Sequence, residues 1–160
     1  MTDDHGARDD GPSAAPDDHE PAATPGPPND RESAYELLQR GQALARRRHH
    51  AQAAIVLERA ARLEPGKGSI LEALGRALYN SRQHDRAREA FEALLEVDPS
   101  SHYGHYALGQ ALKQLGRDHE AWTHLRLAVA LAPDAALYRG ALARMPVPQN
   151  RDPRPPPIAG

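Results

Sequence analysis

Gly41, Gly75 and Gly109 stand thirty-four residues apart, and the same interval separates Ala53, Ala87 and Ala121, and again Pro65, Pro99 and Pro133. At background usage the glycine and proline triples alone coincide by chance on the order of 10⁻⁸ in a given register. A fixed period of this length means stacked copies of one supersecondary unit, each burying its apolar face against its neighbours. It constrains the fold more tightly than any other feature of the chain.

Each period contains two stretches of helical spacing. Leu37, Gly41 and Leu44 are followed by Ala53, Leu57, Ala60 and Ala61. Leu71, Leu74, Gly75 and Leu78 are followed by Ala87, Phe91, Leu94 and Leu95, and Leu108, Gly109 and Leu112 by Ala121, Leu125, Ala128 and Val129. Glycine inside a helix costs roughly 1 kcal/mol against alanine, so its recurrence marks a place where another helix comes close. Proline ends the second helix of each pair, because it lacks an amide hydrogen and restrains the residue before it. The units run over about 34–67, 68–101 and 102–135. Ser33 and Glu36 predict a capping box on the first helix. Ser69 and Glu72 offer another, but two residues out of register, so either that helix begins late or Ser69 is not its cap. After Pro133, Asp134 is expected to cap a closing helix over 134–145, with Leu137, Ala141 and Met145, beside Tyr138 and Leu142, as its apolar stripe.

Leu, Gly, Leu, Ala, Phe or Leu, Ala and Pro at this period resemble the tetratricopeptide repeat (TPR), over roughly 34–135. The resemblance implies an all-α fold: a right-handed superhelical array of antiparallel helix pairs with a capping helix, about seven helices in total. Two residues depart from the columns. Arg40 replaces Leu74 and Leu108, which reads as polar capping of the array's first face, and His105 replaces Leu37 and Leu71, which reads as a partly buried interface residue.

The resemblance also implies a non-enzymatic adaptor or scaffold that holds a peptide segment in a concave groove lined by the first helices. The alternative is a structural or self-assembling module packing through its ends or convex face. One residue past each buried Leu and Gly position, the helix turns by about 100°, away from its partner. That stripe is Tyr35, Leu38, Gln42, Ala45 and Arg46 in the first unit, Ser69, Glu72, Arg76, Tyr79 and Asn80 in the second, and Tyr103, Tyr106, Gln110, Lys113 and Gln114 in the third. These columns differ between units and hold four of the five tyrosines, which combine large contact area with a hydroxyl. The family's carboxylate-gripping subgroup places Lys, Asn and Arg where this chain has Leu38, Gln42, Ala73, Tyr103 and Ala107, so a chaperone-tail clamp is not expected. Arg46, Arg76 and Lys113 favour an acidic peptide or protein partner.

Composition divides the chain further. Residues 1–32 carry nine Asp/Glu against two Arg, and read as a disordered acidic, Pro-rich arm. An arm of this length spans about 30 Å and could compete for a basic groove. Residues 146–160 read as a Pro-rich disordered tail. The segment 33–145 has sixteen Arg/Lys against twelve Asp/Glu, too interleaved for a nucleic-acid footprint. There is no cysteine, hence no disulfide or thiolate chemistry. No stretch is long and apolar enough to span a membrane, and the expected location is cytoplasmic.

Neither a cofactor nor a metal is expected: His102 and His105 share a helix face without carboxylates or an HExxH motif. Arg46 to His50 reads as positive charge at a helix C-terminus. Gly66-Lys67-Gly68-Ser69 reads as an inter-unit turn rather than a phosphate loop. Trp122 reads as packing near the closing helix.

Overall fold

The computed structural model describes residues 32–147; residues 1–31 of the acidic arm and 148–160 of the Pro-rich tail, with the expectations attached to them, lie outside the described residues. The described residues form seven helices: α1 (Ala34–Arg46), α2 (His50–Leu63), α3 (Gly68–Asn80), α4 (His84–Val97), α5 (His102–Gln114), α6 (Asp118–Leu131) and α7 (Ala136–Ala143). α1 packs with α2, α3 with α4 and α5 with α6 as hairpins. Successive hairpins join through α2 with α3 and α4 with α5, while α1, α3 and α5 also touch side by side.

The recurrent glycines lie where the paired helices press together. A Cβ on Gly41 would stand 2.5 Å from Leu57 Cγ, and one on Gly109 would stand 2.8 Å from Leu125 Cγ; on Gly75 it would run into the Phe91 ring. Leu57, Phe91 and Leu125 are themselves essentially inaccessible, as are Ala53, Ala87 and Ala121. Burying each large apolar side chain contributes about 1.5–3 kcal/mol. The repeat is thus a small-against-large seam copied three times.

Each first helix ends in the same way. His49, Gln83 and Arg117 donate their backbone N–H to the carbonyls of Leu44, Leu78 and Leu112 at 3.0, 2.9 and 2.9 Å, a Schellman closure that needs one left-handed residue. That residue is Gly116 in the third hairpin at φ 73°, but Arg48 and Arg82 in the first two, at φ 63° and 64°. The first helix begins with the expected capping box: Ser33 Oγ accepts the Glu36 N–H at 3.2 Å, and the Glu36 carboxylate accepts the Ser33 N–H at 2.8 Å. Arg40 pairs with Glu32 at 2.9 Å on the outer face, as a polar end requires.

Of the two alternatives for Ser69 the second holds, and the expectations for the closing helix are corrected. Ser69 lies inside α3, whose N-cap is Lys67, so the helix starts in register with α1 and the second capping box does not form. The closing helix starts at Ala136 with Ala135 as its N-cap, and no side chain caps it, so Asp134 has no such role. The helix is also shorter than 134–145. Rotation about this short helix buries Tyr138, Ala141 and Met145 but leaves Leu137 57% exposed.

Candidate functional site

Two adjoining depressions lie along the face made by α1, α3 and α5. The first, of about 610 Å³, is bounded by Gln42, Ala45 and Arg46 of α1 and by Ser69, Glu72, Arg76 and Asn80 of α3. The second, of about 270 Å³, runs from Arg76, Tyr79 and Asn80 of α3 to Tyr103, Tyr106 and Gln110 of α5. Arg76 and Asn80 border both, so the two form one continuous strip.

Four residues of the expected stripe stand apart. Leu38 is 8% exposed and belongs to the core: at the edge of the stripe its apolar chain folds inward, while Glu72 and Tyr106 in the same register stay half-buried. Tyr35 is 67% exposed and borders neither depression. Its counterpart Tyr103 packs on Phe91 of the preceding hairpin, with ring centroids 6.5 Å apart, whereas α1 follows no described hairpin. Lys113 is half-buried and Gln114 exposed in the last turn of α5, and neither borders a depression.

The strip also contains residues the stripe missed. Arg48 and His50 border the first depression, placed there by the left-handed turn after α1. The in-register Gly116 was the signal that could have found them, since it shows where the turn must fold back. The Nδ1 of His50 is buried without a hydrogen-bond partner among the described residues. Phe91 and Ala107 border the second depression.

The two depressions differ in chemistry. Arg46, Arg48 and Arg76 surround the first with Glu72 as the acidic counterpart, and Glu72 lies 3.9 Å from Arg76. Neither Arg46 nor Arg48 forms an ion pair among the described residues. The second is aromatic: Tyr103 and Tyr106 have centroids 6.2 Å apart, and Tyr106 lies 4.9 Å from Tyr138 of α7. Tyr138 is buried and its hydroxyl is 2.9 Å from His102 Nδ1, so the closing helix braces the far end of the row. Burial pushes the Tyr103 phenol up to about 12, against the opposing pull of Arg76, and keeps the hydroxyl protonated.

His102 and His105 go to different partners. A neutral His105 that donates from Nε2 to the Pro99 carbonyl at 3.0 Å leaves Nδ1 to accept the His124 Nδ1–H, also at 3.0 Å. His105 is buried, and the pair ties α5 to α6. Trp122 is half-buried against the core with the Arg126 guanidinium 4.6 Å from its ring centre, a cation–π contact.

The tetratricopeptide repeat family model matches residues 72–136. The described helices form a TPR-like α-solenoid. Solved TPR structures share its fold. One is MamA 41-end from Desulfovibrio magneticus RS-1, with 24% identity, a TM-score of 0.66, and 69% of this chain and 62% of that chain covered. Another is YrrB, a TPR protein described as having an unusual peptide-binding site, with 24% identity, a TM-score of 0.67, and 70% and 58% covered. A third is the first TPR of Spaghetti (RPAP3) bound to the HSP90 peptide SRMEEVD, with 14% identity, a TM-score of 0.67, and 69% and 88% covered. The match thus spans about three-fifths of the first two proteins. No curated protein matches the chain by sequence. Among the described residues, no helix of this TPR array is long and apolar enough to cross a membrane.

Proposed function

We propose that this TPR array is a non-enzymatic adaptor that binds a peptide segment of a partner protein along α1, α3 and α5. The observation that carries the reading is the continuous strip through Gln42, Arg76, Asn80 and Gln110, whose polar side chains can hydrogen-bond an extended backbone beside tyrosine rings. Solved neighbours support it: YrrB is described by its peptide-binding site, and the Spaghetti TPR holds an acidic peptide. The carboxylate-clamp columns carry no charge in this chain, so the mode of capture differs from a chaperone-tail clamp.

The test is selection of peptides from a random display library on the full chain, followed by titration of the winners against the double variant Asn80→Ala/Gln110→Ala. Binding should weaken at least about tenfold, the size of losing one or two hydrogen bonds to a ligand. Equal binding by the variant would place recognition elsewhere and overturn the reading.

A second reading, self-assembly through the array end, rests on Leu131 and Leu137, 44% and 57% exposed beside the short α7. Mass measured by light scattering over a wide concentration range separates the two. A dimer that Leu137→Glu dissolves, with no peptide selected, would favour assembly.

A further inference from the structure

The two chemistries of the strip specify more than a generic peptide. The α1–α3 depression is bounded by three arginines against one glutamate, and Arg46 and Arg48 have no ion pair among the described residues. This leaves a net positive site whose complement is a carboxylate, and guanidinium forks match carboxylates in pairs of hydrogen bonds. The α3–α5 depression is bounded by Tyr79, Phe91, Tyr103 and Tyr106, at about 270 Å³ of the order of one large side chain. Its tyrosine and phenylalanine rings are tilted or edge-on to one another, the arrangement that a further ring extends.

The spacing follows from the array. Neighbouring helices pack about 8–10 Å apart, and an extended chain advances about 3.3 Å per residue, so the two depressions lie about three residues apart along a ligand. Resting on the groove reading above, we infer that the ligand is a bipartite protein segment. An Asp or Glu is held by Arg46, Arg48 and Arg76, and an aromatic side chain about three residues away sits on Tyr79, Tyr103 and Tyr106. Asn80, which borders both depressions, faces the backbone between them. Single-stranded nucleic acid also combines negative charge with rings, but its charge is spread along every residue. Here Arg46 and Arg48 border only the first depression, and the second is bordered by a single cation, Arg76, shared between the two.

The probes are capped peptides of about ten residues on a Ser/Thr/Gly background, with Glu and Phe three positions apart in both orders. Controls replace Glu by Gln, replace Phe by Ala, or place the two side by side. Each is titrated into the full, nitrogen-15-labelled chain at low and high salt. The spaced Glu/Phe peptide should bind at least about tenfold more tightly than the Gln control at about 0.05 M salt, and lose most of that advantage near 0.5 M. The double variant Arg46→Gln/Arg48→Gln, at exposed positions with no ion pair among the described residues, should erase the Glu preference and keep the Phe preference.

Equal binding of the Glu and Gln peptides, with amide shifts still at Tyr103 and Tyr106, would overturn the bipartite ligand and leave the groove reading standing. No shift in the strip with any peptide would overturn both. Tighter binding of a single-stranded RNA oligonucleotide than of any peptide would overturn the protein class of the ligand.

Discussion

Gly75 and Arg76 are neighbours in α3, yet they belong to surfaces built on opposite rules. In the column of Gly41, Gly75 and Gly109 nothing varies, because each glycine meets a large side chain of the paired helix where no Cβ fits. One residue on, Gln42, Arg76 and Gln110 all line the strip, where they border a depression instead of meeting the paired helix. Copies within one chain fold under the same packing demand. A column that stays fixed answers to packing, and a column that changes is free to answer to a ligand.

The contrast can be broken most forcefully at the seam. Phe91→Ala should cost about 3–5 kcal/mol in urea unfolding, since a fully buried ring is removed and the glycine opposite cannot fill the space. A loss under about 1 kcal/mol would mean that the hairpins do not depend on the seam.

Arg48→Gly sharpens the contrast by pulling stability and binding apart. The left-handed turn at φ 63° strains any side chain, and the third hairpin already uses Gly116 there. The variant should gain about 0.5–1 kcal/mol in thermal or chemical unfolding while weakening capture of an acidic peptide. A variant that loses stability would show that Arg48 contributes packing the turn requires.

The smallest effect concerns pH. Burial, and secondarily the neighbouring His105, hold His124 below the ordinary histidine value of 6.5, while Glu120 and Glu92 pull in the opposite direction. The unfolded chain therefore takes up this proton more readily than the folded one. The stability contribution is full above pH 6.5 and falls as the pH drops below it, towards the lowered folded-state value. His124→Gln should flatten the fall in unfolding free energy below pH 6.5. An unchanged slope would place the titration elsewhere.

What could be read from the sequence divides along the same line. The helix pairs, the seam and the capping box at Ser33 were legible because close backbone approach and unsatisfied helix ends admit few residue types. The strip was legible in part, since a 100° step fixes which side chains leave the seam. It does not fix how an edge residue bends, which is why Leu38 went to the core. Nor does it show whether a neighbour exists to cover Tyr35. Arg48 and His50 were hidden because helix periodicity says nothing about a turn, and because an arginine stands where a glycine would have announced the left-handed residue.

The account's central claim, that adjacent columns hold separate tasks, is tested most directly by comparing Gly75→Ala with Arg76→Gln in parallel urea unfolding and titration of the Glu/Phe peptide. The seam variant should lose about 1–3 kcal/mol of stability from overpacking against Phe91 and retain its affinity under conditions where it is folded. The strip variant should keep its stability within about 0.5 kcal/mol and lose affinity severalfold. Arg76→Gln binding as tightly as the parent, or Gly75→Ala as stable as the parent, would contradict the claim.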